Sequence, residues 1–385
     1  MYIQRQAEEI AQNKLKNNKI LLILGARQVG KTTLIKHILQ GKKALFLNLD
    51  ITVDKDRFLA LSALPPQEAI KNINADYLII DEAQRLSETS RIVKGWYDFG
   101  VPFKIILLGS SSLNLLNQAA ESLTGRNEKI FLSPLTFKEV VASNSWYIPS
   151  LSWTEINKNF IATIQSSLML SLAYGNYPEV VVSADKENIL ASLASDYLWK
   201  DILQIGEVKN PETIKRLLML LAHQIGSEVS VNELANSLRL ARPTIEKYLD
   251  LLEQSFVIFR LPAFSTNARK EVSKSKKIFF YDVGIRNAVL KEFSTSPLRS
   301  DIGALWENWV IAELYKENLL LGNKKDFYFW RSRSGSEVDL VIKNGEALSA
   351  YEIKWQKKNV KVRAFTEQYK ISVKVLNSDN PFYVN

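Results

Sequence analysis

Apolar positions along the chain change rhythm three times. From residue 19 to residue 132, short unbroken apolar runs recur: Ile20-Leu21-Leu22-Ile23-Leu24, Ala44–Leu49, Tyr77–Ile80, Phe103–Leu108 and Lys129–Leu132. Runs of this length, without alternation, predict strands covered on both faces, and the stretches between them carry helical period. Alternation of that kind predicts a parallel α/β sheet. The segment Tyr2–Asn18 brings Ile3, Ala7, Ile10, Ala11 and Leu15 roughly onto one helical face, which either packs on the sheet or approaches a ligand. From Ser145 to Trp199 the pattern is helical and apolar on one side, with a break at Tyr174-Gly175-Asn176-Tyr177-Pro178-Glu179. Past residue 226 two short helical patterns, one opening at Val229 and one near Ala241, precede strands Phe256–Leu261 and Lys276–Tyr281. Strict alternation appears only near the C-terminus, over Glu337–Ile342 and Leu348–Trp355, with Asn344-Gly345 between them as a hairpin signal.

The first strand runs into Gly25-Ala26-Arg27-Gln28-Val29-Gly30-Lys31-Thr32, followed by Thr33 and a helical pattern. The spacing G-x-x-x-x-G-K-[ST] between strand and helix predicts a phosphate-binding loop. Glycines let backbone amides turn inward around phosphate oxygens, and a helix N-terminus adds partial positive charge. Lys31 is expected on the β/γ-phosphates of ATP, with Thr32 as a ligand of Mg²⁺. The strand Tyr77–Ile80 ends in Asp81-Glu82, at the edge where open α/β sheets bind ligands. Asp81 suits the Mg²⁺-holding acid and Glu82 the base that polarises water.

With the next strand closing on Gly109-Ser110-Ser111-Ser112, the N-terminal stretch resembles P-loop ATPases of the AAA-like branch. Those enzymes place a polar residue at the end of the strand lying between the other two, so the resemblance assigns Ser110 or Ser111 to sensing the γ-phosphate. A serine cap for the following helix is an equally compatible role. Leu123-Thr124-Gly125-Arg126 and Leu132-Ser133-Pro134-Leu135-Thr136-Phe137-Lys138-Glu139 extend the likeness. Together these stretches resemble a widespread bacterial and archaeal family that joins an AAA-like ATPase to a C-terminal domain similar to restriction endonucleases. The resemblance implies an arginine that senses the γ-phosphate, with Arg126 first and Arg27 second. The break near Gly175 is also similar to a Gly-Gly-Tyr-Pro-Glu-like motif of that family, with Asn176 in place of the second glycine. Tyr197-Leu198-Trp199-Lys200-Asp201-Ile202-Leu203 matches a further family pattern, and neither has an evident chemical role.

The helical patterns after residue 226 and the two strands behind them read as a winged helix. Arg239, Arg242 and Lys247 lie on or near its second helix, and Arg269, Lys270, Lys274, Lys276 and Lys277 in the wing. Basic residues so placed suit DNA phosphates, although winged helices also serve as protein-interaction modules. If Asn344 and Gly345 form the turn, Asp339 lies opposite Ala350 and diagonal to Glu352. Glu337, Asp339, Glu352 and Lys354 then share one face, while Val338, Leu340, Ile342, Tyr351, Ile353 and Trp355 turn to a core. The acid, acid and lysine resemble the PD-(D/E)xK nuclease core, with Val338 where the name has proline. The resemblance implies that Asp339 and Glu352 hold Mg²⁺, that Lys354 orients or activates water, and that Glu307 either supplies a second metal contact or supports the metal's ligands from behind. A solvated hairpin and a nuclease fold that no longer cuts are the competing readings.

Composition narrows the field. The 385 residues hold no cysteine and only His37 and His223, which excludes thiolate zinc sites, cysteine nucleophiles and histidine-rich metal sites. A formal charge of +9 favours an anionic partner. No apolar leader or membrane-length run is visible, so a cytoplasmic location without membrane contact is expected. The expected fold is α/β: an AAA-like P-loop NTPase sheet over 1–143, a helical connector over 144–206, a winged helix over 207–281, and a restriction-endonuclease-like α/β domain over 282–385. The expected function is Mg²⁺-dependent ATP hydrolysis controlling a DNA-binding or nuclease-like module, with a homo-oligomer compatible and its size open. The alternative is a non-nucleolytic ATP-dependent switch.

Overall fold

A computed structural model describes residues 2–110, 123–197, 211–265, 276–332, 334–356 and 362–382. It divides into two compact units, Met1–Ser133 with Gln254–Phe256, and Pro134–Glu253 with Val257–Asn385.

In the first unit five parallel strands, β1 (Ile20–Leu24), β2 (Ala44–Asn48), β3 (Tyr77–Asp81), β4 (Lys104–Gly109) and β5 (Asn127–Phe131), stand in the order β2-β3-β4-β1-β5. Every residue of β1 is buried because strands flank it on both sides and the faces are covered. The expectation of a second fully buried strand at Ala44–Leu49 is not met. β2 is the sheet's edge, and most of its residues are half-buried. β4 does lie between β1 and β3, the arrangement the AAA-like resemblance implied. Parallel strands bring the ends of β1, β3 and β4 to one edge, so residues 25–32, 81–82 and 110 gather there without being near in sequence.

The ATPase domain, drawn to residue 143 from sequence, ends in packing terms at Ser133. The helix Phe137–Ala142 belongs to the second unit: Phe137 packs edge-on against Trp309 with centroids 5.2 Å apart, and its amide donates to Glu313 Oε2 at 2.7 Å. Its start is legible all the same, since Thr136 and Glu139 form a reciprocal capping box.

The second unit carries two further sheets. Helices Pro211–His223, Val231–Leu238 and Arg242–Gln254 accompany β6 (Glu228–Val229), β7 (Ile258–Pro262) and β8 (Lys276–Phe280), ordered β6-β8-β7 and antiparallel. Then β9 (Asp326–Arg331), β10 (Glu337–Asn344), β11 (Ala347–Ile353) and β12 (Val373–Leu376) form a sheet ordered β12-β11-β10-β9. The helix Ile302–Leu320 joins the two. Its buried Asn308 accepts from the Phe280 amide at 2.7 Å and donates to the Phe280 carbonyl at 2.8 Å, satisfying the free edge groups of β8.

The hairpin departs from expectation twice. Asn344 pairs with Ala347, so the turn is Gly345-Glu346 rather than Asn344-Gly345. Gly345 has φ +59° and opens the turn, the place where a two-residue loop of the II′ kind requires glycine. The register moves by two, Val341 opposing Ala350 and Leu340 opposing Tyr351, so Asp339 faces Glu352 directly instead of diagonally. A bulge between Val338 and Val341 in the pairing with β9 breaks the simple alternation. Val338 and Val341, three apart, both enter the core with Phe264, Trp330, Ala350 and Phe365, which a regular strand forbids. Ile342, Tyr351 and Trp355, assigned to the core from alternation, are only half-buried. No helix among the described residues is long and apolar enough to cross a membrane.

Candidate functional site

Two constellations stand out, one in each unit. At the edge of the first sheet a Cβ on Gly25 would lie 1.9 Å from the Leu132 carbonyl oxygen, so only glycine fits. Gln28 (φ +61°) and Gly30 (φ +92°) take left-handed conformations that curl the loop before the helix Lys31–Ile38 begins. Ala26 and Val29 are buried, Arg27 is half-buried within the loop, and Thr33 is exposed on the helix's first turn. Lys31, 6% exposed, donates from Nζ to the carbonyls of Gly25 at 2.9 Å and Ala26 at 2.8 Å, which keeps its ammonium inside the loop's concavity.

Thr32 Oγ1 donates to Asp81 Oδ2 at 2.6 Å, and Asp81 Oδ1 accepts the Glu82 amide at 2.9 Å. A hydroxyl and a carboxylate so close, beside a cradle of amides, are hard oxygen donors of the kind that suit Mg²⁺, which keeps waters and takes phosphate oxygens as its other ligands. Glu82 sits at φ +51°, uncommon outside glycine, in the turn that follows β3. Its Oε2 accepts from Ser110 Oγ at 3.2 Å and from Gln84 Nε2, which also reaches Ser110 Oγ at 3.0 Å. Ser110 is 1% exposed at the end of β4. Ser111, the alternative to it, and Ser122 lie outside the described residues.

Arg126 is not brought to this cluster. Its carbonyl accepts the Ile20 amide at 2.9 Å, which puts it at the opposite end of β1, about 16 Å from the loop along the strand. Its guanidinium pairs with Asp98, Nε to Oδ1 at 2.5 Å. The expectation that it senses the γ-phosphate bound by its own chain is therefore corrected. Motif spacing passes over Arg5, which does reach the loop. That side chain, 7% exposed, donates to the Val29 carbonyl in the loop and to the Ser133 carbonyl, both at 2.8 Å. Its partners lie 24 and 128 residues away, so no local pattern marks it.

In the second unit Asp339 Oδ2 accepts from Lys354 Nζ at 2.8 Å and from the Ile353 amide at 2.8 Å, and Lys354 Nζ lies 2.7 Å from Glu352 Oε2. Burial pushes the Glu352 carboxyl well above the ordinary carboxylate range, and the adjoining Asp339 pushes it further. Burial would lower Lys354, but Asp339 and Glu352 outweigh it and hold the ammonium above its usual value. Glu307 reaches the cluster from the helix Ile302–Leu320, its carboxyl also raised by burial and tempered by Lys277. A cavity of about 480 Å³ opens beside Glu307 and Lys354, lined also by Arg299, Ile302, Gly303 and Trp355. Two abutting carboxylates beside it form an oxygen donor set suited to a hard cation completed by water and phosphate. Among the described residues no ready-made cage of three acidic or histidine side chains is present.

Lys277 was grouped with the basic wing, and this is corrected: it is 3% exposed and pairs with Glu307 and Glu337. Arg269, Lys270 and Lys274, and the motif residues Lys200 and Asp201, fall outside the described residues. Arg239, Arg242 and Lys247 are exposed, with Arg242 Nε 3.0 Å from Glu246 Oε1.

Comparison with known proteins follows this division in part. Residues 17–141 match the family described as AAA domain, and residues 165–296 and 302–384 match two domains of unknown function, DUF8612 and DUF4143. An uncharacterised protein of Mycobacterium tuberculosis is 29% identical over 356 residues, covering 91% of this chain and 73% of that protein. An uncharacterised protein of Methanocaldococcus jannaschii is 29% identical over 387 residues, covering 95% and 81%. Among solved structures the chain is similar to the Walker-type ATPase PABY2304 of Pyrococcus abyssi, with TM-score 0.51 at 14% identity over 75% of this chain and 96% of that one. At that identity the likeness concerns fold alone. With the loop geometry it supports one conclusion: the N-terminal unit is an AAA-like P-loop ATPase domain.

Proposed function

We propose that the protein hydrolyses ATP with Mg²⁺ and that its nucleotide state controls a DNA-binding, nuclease-like C-terminal unit. The observation that carries the reading is the 2.6 Å bond from Thr32 to Asp81, made inside a phosphate cradle and next to Glu82. Loop amides from Gly25 to Thr33 and the Lys31 ammonium bind the phosphates. Thr32 and Asp81 would hold Mg²⁺, which would supply neutralisation of phosphate charge. Glu82 orients and polarises the attacking water, and Ser110 with Gln84 fixes where its carboxylate points. A finger on the γ-phosphate would have to come from Arg27 or from a second copy of the chain.

For the C-terminal unit, the order β6-β8-β7 with three helices supports a winged helix, and Arg239, Arg242 and Lys247 on its surface suit DNA phosphates. The opposed Asp339 and Glu352 with Lys354 support the nuclease-like reading, in which the two carboxylates and Glu307 would hold Mg²⁺ and Lys354 would orient water. One observation favours the alternative of a silent fold serving as a switch: two lysines already pair with the carboxylates from within.

Incubating the protein with Mg²⁺, ATP, and plasmid or single-stranded DNA separates these readings. Phosphate release abolished by Lys31→Ala, together with DNA cleavage abolished by Asp339→Ala, is the expected result. ATP turnover with DNA intact under every condition sinks the nuclease and leaves the switch. Absence of turnover sinks the hydrolase.

A further inference from the structure

The carboxylate cluster holds a cation that neither sequence motif supplies. Glu337, Asp339 and Glu352 come from the four-stranded sheet and Glu307 from the helix Ile302–Leu320, whereas Lys277 enters from β8 of the three-stranded sheet. Its Nζ lies 2.5 Å from Glu337 Oε1, 3.1 Å from Glu307 Oε1 and 5.6 Å from the centre of the Phe329 ring. The side chain is 4% exposed. Burial draws the ammonium's pKa down, but the facing carboxylates prevail and keep it above the ordinary lysine value.

The charges do not balance. Four carboxylates, Glu307, Glu337, Asp339 and Glu352, face two ammoniums, Lys277 and Lys354, while the exposed Arg331 opposite Glu337 is paired with Glu228, so an excess of two negative charges is left when all are ionised. A divalent cation would cancel that excess, yet it would meet Lys277 as a fixed positive charge in a place little screened by water. Lys354 is the lysine of the nuclease-like motif, two residues beyond Glu352. Lys277 has no counterpart in that motif, and its backbone lies in a different sheet.

We propose that Lys277 is the resident counter-ion of this cluster: it holds Glu307 and Glu337 when no metal is bound and competes with a divalent cation for them. The proposal rests on the reading that the cluster takes Mg²⁺, and it names what limits the affinity. Because Lys277 sits on β8, displacement of that strand changes the affinity for metal. Lys277 is a positioning residue in this account; it acts through the carboxylates.

Calorimetric titration of the full chain with Mn²⁺, without nucleotide, tests it. Wild type, Lys277→Met, Lys277→Arg and Asp339→Asn are compared, each checked for folding by circular dichroism. Lys277→Met is expected to bind Mn²⁺ roughly tenfold tighter or more, Lys277→Arg to stay near wild type, and Asp339→Asn to lose the site. A merely structural lysine predicts the opposite sign, because its removal would loosen the cluster. Equal or weaker Mn²⁺ binding by a folded Lys277→Met overturns the proposal, as does absence of binding in both that variant and wild type. If the methionine variant does not fold, Lys277→Gln is judged by the same criterion. Cleavage is read separately: tighter Mn²⁺ binding without DNA cutting supports the counter-ion and removes only the nuclease.

Discussion

The buried carboxylate of Asp282 accepts the amides of Asn176 at 2.7 Å and Gly284 at 2.9 Å. A Cβ on Gly175, which has φ +66°, would lie 1.8 Å from Asp282 Oδ1, and one on Gly284 would lie 2.1 Å from the Tyr174 carbonyl. Two glycines thus let the Tyr174–Asn176 turn and the helix starting at Val283 close on a single acid. This gives the Gly175-Asn176-Tyr177-Pro178 stretch the role that spacing could not supply. Asn176 adds to it by accepting from Ser171 Oγ at 2.8 Å. Replacing Gly175 by Ala combines a backbone penalty with that clash and should destabilise the second unit by about 2 kcal/mol or more in urea denaturation. A loss within about 0.5 kcal/mol, the range of ordinary surface substitutions, would contradict the geometry. At this scale the sequence was most legible where chemistry dictates spacing, as from Gly25 to Thr32. It was silent on Arg5 and put Lys277 in the basic wing, because the partners of both are chosen by tertiary packing. Arg126 misled because a motif says what lies near it along the chain and nothing about which end of a strand it occupies.

Strands and helices repeat that contrast. Solid apolar runs announced β1, β3 and β4 because each is covered on both faces. The β10–β11 hairpin was anticipated in its residues but not in its turn, since Asn-Gly is the stronger local signal and glycine's place in the loop decided otherwise. Its bulge has no signature in the alternation, yet it lets Val338 and Val341 share a core while Asp339 meets Lys354. At the start of β4, Lys104 shows how one element closes another: its ammonium donates to the carbonyls of Lys14 at 2.8 Å and Asn17 at 2.7 Å, at and just past the end of the helix Ala7–Leu15. Burial lowers its pKa from 10.5 to about 8, with Glu128 opposing the fall. Between those values the unfolded chain binds a proton that the folded chain lacks, so this group adds stability as pH rises through the window and withdraws it as pH falls back toward 8. Wild type should therefore gain on Lys104→Met in melting temperature between pH about 8 and about 10. A constant difference across that range would show that the amine keeps its ordinary titration.

On the scale of the whole molecule, each stretch brings its own period, but packing divides the chain elsewhere than the likeness suggested. Residue 143 looked like an end because the family likeness ran that far, while packing assigns nearly everything after Ser133 to the second unit. The net charge of +9 and the surface cations Arg239, Arg242 and Lys247 lead to a further expectation. DNA affinity should fall steeply with added salt, and replacing these three by Gln should flatten the slope of log affinity against log salt by about 0.9 for each phosphate no longer neutralised. An unchanged slope would move the DNA-binding face elsewhere. Arg5 has a consequence on this scale too. One planar guanidinium grips both Val29, where phosphate is cradled, and Ser133, where the chain departs for its second half. One side chain thus fastens the two places to each other directly, like two pedals on one axle, a tie separate from the sheet.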